Sequence, residues 1–579
     1  MKKIDPITLS VVRNSLATVG RQVGVVVEKT SQSFLTSELH DYSVGLFDSK
    51  GRTVATLIGL PAQAGAGNLT MKAAIEKFGL DFSPGDVILQ NDPYLAKGTH
   101  LPDWTYFLPV FHKRELVFFI MLRAHQFDAG GAFPGGYFPA VHDIYSEGVR
   151  IEPTKIYKKG EEQEIFKHIL NNVRLSDSVR MDGMAAIAAL KKGAEVIEEV
   201  LNKYGKDEVF SCIEEMIVRG EDAMRRAIEK MPDGVYQGEA GTDDDGTILD
   251  KPIWVRCEIE IRGNEITIDF SDSDRQANMV NSPLANTQAC VYSAVFMSID
   301  PKLSEYVNEG SFRPIKIKAP EGSCVNATYP ATVGGCPVTL GMQIVESVQL
   351  ALGKAIPEQV CAPWARHYGN FSFGIDPRIK EPYVFVSMNG SGGSGATWDF
   401  DGWPHIAPVT AGGRLSKASV EMVEIEYPWH VIKYEFLSDS AGAGRWRGGL
   451  GMDWRMKNVG LECGLSTGNS CGERIPMSGV KEGKAPPLNR QHLLSDNNEK
   501  KIEIRAKRMY RLKPGDILVQ NTGGGCGIGD PGKREIEKVR EDVRNGFVSP
   551  QAAEKDYKVV FKTGTFEIDE EATRKLRAL

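Results

Sequence analysis

The chain has no 18-residue apolar window, so nothing in it reads as a membrane-spanning helix. Basic runs are missing as well. The formal charge is -7 and no five consecutive Lys or Arg residues occur, which removes the electrostatic footprint of a nucleic-acid binder. Cysteine is sparse: nine among 579 residues, an odd number without a Cys-x-x-Cys pair, which excludes a disulfide framework and a zinc knuckle and leaves small buried hydrophobes. The opening "MKKIDPITLSVVRNSL" lacks the apolar core and cleavage site of a signal peptide, so a cytoplasmic protein is expected. A Gly-x-x-x-x-Gly-Lys-Ser/Thr phosphate loop is absent too.

What is present is an ordinary globular composition, too long for one hydrophobic core. Asp5-Pro6 is a helix start, and Leu9, Val12, Leu16, Val19, Val23 and Val26 follow at helical spacing. "DYSVGLFDSKGRTVATL" reads as a hairpin turning at Asp48 to Gly51, with Asp41 at its entrance. Residues 116 to 122 are apolar on both faces and predict a buried strand that ends in His125 and a glycine-rich loop. A helix is expected from a capping Asp182 to Gly205, and another over 207 to 230. "VRCEIEIRGNEITIDFS" alternates about a Gly263-Asn264 turn. The expected class is α+β: several lobes of mainly antiparallel or mixed sheets and long amphipathic helices, without the βαβ rhythm of a doubly wound Rossmann fold. The expected division is an N-terminal metal-site lobe over 1–231, a β-rich, Gly/Pro-punctuated lobe over 232–532 and a helical tail over 533–579.

The stretch "NDPYLAKGTHLPDW", residues 91 to 104, is too broken by Gly98 and Pro102 to be a helix, yet it sets His100 and Asp103 three apart. If it leads into a strand beside the one that ends at His125, then His100, Asp103 and His125 converge at one strand end. Two imidazoles and a carboxylate suffice as protein ligands for a catalytic divalent metal. Asp41 is the fourth candidate, as a ligand or as a group orienting one. The same donor set also suits a non-haem iron facial triad, although His-x-x-Asp replaces the usual His-x-Asp. A loop hydrogen bond is the plain alternative. The acidic turn "GTDDDG" (241 to 246) and the glycine runs at 389 to 396 and 522 to 531 are weaker candidates for a cation and for an anion.

Six blocks, "DYSVGLFD", "NDPYLAKGTHLPD", "RAHQFDAGG", "EGVRIEPTK", "DSAGAGRWRGGLG" and "GGGCGIGDP", resemble in content and order those of the hydantoinase B/oxoprolinase family. This family includes B-type subunits of ATP-dependent N-methylhydantoinases and caprolactamase, and related subunits of acetone and acetophenone carboxylases. The resemblance implies one divalent metal at His100, Asp103 and His125, with Asp41 close by; zinc is the expected ion, with manganese or iron as alternatives. In many relatives a second histidine follows the first, where this chain has Gln126. The resemblance also implies that ATP and magnesium are bound by an A-type partner subunit, in an A2B2 complex, and that the partner phosphorylates a small cyclic amide. This chain would then deliver water to the activated carbon, with Asp41 or Asp128 accepting the proton and Arg123 and His142 contacting phosphate or carboxylate. The alternatives are a subunit of an ATP-dependent ketone carboxylase and a non-catalytic scaffold.

Overall fold

The structure, a computed structural model, describes residues 4–79, 81–139, 141–495, 497 and 499–578. The chain forms two compact units that interleave along the sequence: residues 1–235, 259–341 and 410–416 in the first, and 236–258, 342–409 and 417–579 in the second. This differs from the division expected from the sequence. Residues 259–341 cluster with the N-terminal segment, and the helical tail packs into the second unit, where Val539, Val543, Ala553 and Tyr557 share a core with Ala443.

The first unit opens with α1 (Pro6–Thr30), capped by the Asp5 carboxylate, which accepts the Thr8 N–H. A seven-stranded antiparallel sheet follows, in the order β2-β1-β5-β4-β3-β6-β7. Its strands are β1 (Tyr42–Asp48), β2 (Thr53–Gly59), β3 (Val87–Gln90), β4 (Asp103–His112), β5 (Glu115–His125), β6 (Thr154–Lys158) and β7 (Glu161–Glu162). The hairpin and the buried strand therefore lie where the sequence put them. Helix α2 (Gly67–Phe78) lies between β2 and β3 in sequence, and α3 (Ser176–Tyr204) and α4 (Lys206–Ile228) follow the sheet.

Side chains alternate across the sheet. Trp104, Tyr106, Phe118, Ile120 and Leu122 join one core with Val12, Leu16 and Val19 of α1 and Ile187 and Leu190 of α3. Phe107, Phe119 and Met121 point the other way and pack with Phe47 and with Met71 and Ala74 of α2. That parity decides the site: Asp103 and His125 share the face of Phe107 and Met121, at the sheet's end.

One boundary is corrected. Helix α3 begins at Ser176, and Asp182 sits inside it with its Oδ1 accepting the N–H groups of Gln32 and Ser33, at 2.9 and 3.0 Å. The carboxylate caps the chain after α1 and not its own helix. Later in this unit β8 (Glu265–Asp269) pairs in parallel with β9 (Ile315–Lys318), and between them in sequence runs α5 (Leu284–Met297).

The second unit contains two antiparallel sheets. One has the order β11-β10-β14-β17, from β10 (Asn370–Asp376), β11 (Glu381–Ser387), β14 (Cys463–Ser466) and β17 (Met509–Leu512). The other has the order β12-β13-β18-β15-β16, from β12 (Trp429–Phe436), β13 (Met452–Asn458), β15 (Arg490–Ser495), β16 (Lys500–Ile504) and β18 (Ile517–Asn521). All nine cysteines are buried, and none is joined in a disulfide. Among the described residues, no helix is long and apolar enough to cross a membrane.

Candidate metal centre

Asp103 opens β4 and His125 closes β5, and the two are direct partners across the ladder. His100 reaches them from the loop before β4, which is pinned at several points. The Asn91 amide donates to the Leu101 and Val149 carbonyls, Asp92 accepts the N–H groups of Tyr94 and Leu95, and Asp103 N–H donates to His100 O. Gly98 is required there, because a Cβ would lie 2.5 Å from the Asn91 carbonyl oxygen.

His100, Asp103 and His125 each offer one ligand atom, all within 4.8 Å of one another, and all three residues are buried. Asp103 Oδ1 lies 3.1 Å from His100 Nε2 and 3.4 Å from His125 Nδ1. On its other oxygen Asp103 accepts the Thr99 hydroxyl. The remaining ring nitrogen of His100 is 3.0 Å from the Gly334 carbonyl. A carbonyl only accepts, so Nδ1 carries the proton and Nε2 is the nitrogen turned to the cluster. There Nε2 forms no well-aligned hydrogen bond despite full burial. A buried ring nitrogen turned to a carboxylate while the other ring nitrogen is fixed by a carbonyl is the arrangement of a metal-ligating histidine. The donor set of two nitrogens and one carboxylate oxygen thus fits a divalent ion.

The charges follow from burial and proximity. Burial works against the charge on Asp103, but His100 and His125 beside it hold the carboxyl well below the usual carboxylate range. Burial likewise resists the imidazolium of His100, and Asp103, the Gly334 carbonyl and Asp41 together raise it. Asp41 adjoins the cluster, and burial pushes it up to about 6 against the pull of His125.

Gln63, for which the sequence offered no signal, organises this edge. Its amide donates to Asp41 Oδ1 at 2.8 Å and lies 3.4 Å from Asp103 Oδ1, while its backbone oxygen accepts from Arg123 at 2.7 Å. Two further residues were missed. Tyr137 stacks on His125 with ring centroids 6.0 Å apart, and Glu147 accepts the N–H groups of Val333 and Gly334 at 3.0 and 2.7 Å, anchoring the turn whose carbonyl holds His100. Glu147 lies in the quoted "EGVRIEPTK" block; its tie to residue 334 is a contact only the fold creates.

Three expected site residues lie outside the cluster of His100, Asp103 and His125. Arg123 is fully buried, donates to Thr105, Thr70 and the Gln63 carbonyl, and is lowered to about 10 by that burial; it braces the wall and does not face a ligand. Asp128 is fully buried, ion-paired with Arg174 at 3.1 Å and accepting backbone N–H groups of Gly130 and Arg174, so both its oxygens anchor the loop. His142 is exposed, with its Nδ1 3.4 Å from Asn278 Nδ2, and is no part of the cluster.

The weaker candidates resolve into packing. Asp243 accepts four successive backbone N–H groups of residues 472 to 475, so it is neither solvated nor a cation ligand. In the glycine run 522 to 529 the N–H groups of Gly524, Gly525 and Gly527 already donate to Ser440, Gly449 and Lys484 carbonyls, leaving no anion cradle.

The hydantoinase B/oxoprolinase family profile matches residues 5–531. The caprolactamase subunit beta of Pseudomonas jessenii is 34% identical over 587 residues, covering 100% of both chains. The crystal structure of the ATP-dependent caprolactamase from the same organism superimposes with a TM-score of 0.92 at 33% identity, again over the whole of both chains. An acetone carboxylase, solved without nucleotide, gives a TM-score of 0.90 at 19% identity over 99% of this chain and 82% of that one, a likeness of fold alone.

Proposed function

The chain belongs to the hydantoinase B/oxoprolinase family, and from that premise we propose that it is the ring-opening subunit of an ATP-dependent cyclic-amide hydrolase. The observation that carries the reading is the buried cluster of His100, Asp103 and His125, with His100 Nε2 turned to Asp103 Oδ1 and its Nδ1 proton fixed on Gly334. These three residues would hold one divalent ion, zinc foremost, with manganese or iron as alternatives, and the ion would supply a bound water acidic enough to act near neutral pH.

An amide carbon is a poor electrophile. The family relationship to a subunit named beta supports a partner, here an A-type subunit in an A2B2 complex, that spends ATP to phosphorylate the amide oxygen. Water then adds to the activated carbon, and Asp41 takes its proton at the oxygen not held by Gln63. A carboxyl raised to about 6 by burial is matched to that task. The ring C–N bond breaks as the proton passes to the departing nitrogen, and a second water releases carboxylate and inorganic phosphate. Gln63, braced by Arg123, keeps Asp41 aimed at the cluster.

The test is a reconstituted pair of subunits given ATP and a panel of lactams, hydantoins and, with bicarbonate, ketones. Ring opening coupled to ATP consumption is expected, and Asp41→Asn should leave ATP consumption while slowing ring opening about 100-fold. Carboxylation of a ketone in place of ring opening, or an equal fall of both activities in the variant, would contradict the reading.

A further inference from the structure

The turn that carries Gln63, Pro61–Ala64, is also a wall of a cavity of about 280 Å³ through its Pro61 and Ala64 side chains. The other walls are mainly apolar. Tyr292 and Phe312 stack with centroids 4.2 Å apart and planes 10° from parallel, and Phe296 meets Phe312 edge-on at 6.2 Å. The cavity has a single charged lining residue, Arg414. Its side chain is exposed, and its NH1 reaches only the Gly59 carbonyl at 3.4 Å. Among the described residues, no Asp or Glu lies in salt-bridge range of it.

An apolar slot with aromatic walls and one uncompensated guanidinium selects a ligand with an alkyl body and a single negative end. The planar fork of Arg matches a carboxylate through two parallel N–H bonds, a charge pairing that a neutral polar end does not supply. We propose that this cavity binds a short aliphatic carboxylate, with its chain against Tyr292, Phe296 and Phe312 and its carboxylate on Arg414. The inference stands apart from the hydrolase reading, because none of the residues that receive the ligand belongs to the metal cluster. One wall is the turn whose Gln63 donates to Asp41.

Calorimetric titration of the full chain with hexanoate decides the matter. Saturable 1:1 binding is expected, weakened at least about tenfold by Arg414→Gln and equally by replacing hexanoate with hexanamide. Arg414 is exposed, so the variant should melt like the wild type. Ser293→Leu, which fills the cavity from α5, should abolish binding while Arg414 remains. Absence of hexanoate binding, equal affinity in Arg414→Gln, or hexanamide binding as tightly as hexanoate would overturn the assignment.

Discussion

His100 is held from behind by a carbonyl that itself depends on a buried acid, Glu147, two hydrogen bonds away. Burial pushes Glu147 up to about 7 although it accepts two backbone N–H groups. The consequence for stability has a definite sign. A carboxyl whose folded value lies above its unfolded value near 4.3 binds more protons folded than unfolded between those two values. Its contribution is therefore full below about pH 4 and is lost as pH rises through about 7. In the metal-free protein, urea unfolding of wild type measured against Glu147→Gln should show wild type losing roughly 1 kcal/mol per pH unit relative to the variant between pH 5 and 7. Parallel pH profiles would show that Glu147 is not perturbed in this way. The same variant should also bind metal more weakly, because the turn that fixes the His100 tautomer loses an acceptor.

At the scale of elements, the site exists because two neighbouring strands end together on one face. That was legible: the apolar run 116 to 122, the broken loop before Asp103 and the hairpin after Asp41 carry local signals of period and turn chemistry, and β1, β4 and β5 lie accordingly. The start of α3 was misplaced because Asp182 looks like a cap in sequence, whereas its acceptors serve Gln32 and Ser33, about 150 positions away. Gln63, Gly334 and Glu147 were invisible for the same reason, since their roles arise from long-range contacts that leave no local pattern. The seam of α1 against α3 and the sheet supports the strand ends from beneath. Leu16, 1% exposed in that core, should cost about 2–5 kcal/mol on truncation to Ala. A denaturant midpoint unchanged from wild type would show the seam to be dispensable.

For the whole molecule, the proposed division of labour rests on a second subunit. This chain has no phosphate loop, and the N–H groups of its glycine run at 524 to 527 are already paired within the fold. Titration of the isolated chain with Mg-ATP should therefore give no measurable heat; micromolar binding would place the nucleotide site here and reverse the roles of the two subunits. The interleaving of the two compact units was not readable from composition, because residues 259–341 share the Gly- and Pro-punctuated sequence of the segment after 341 yet cluster with the N-terminal segment. Everything proposed for the reaction turns on whether the three buried ligands hold a metal. The most direct measurement is elemental analysis of the purified chain, wild type beside Asp103→Asn and His125→Ala, after dialysis. The account predicts about one divalent ion per wild-type chain and a loss of more than about 90% in each variant, since two remaining ligands make too weak a site. Equal metal content in all three proteins, or none in the wild type after loading, would contradict it.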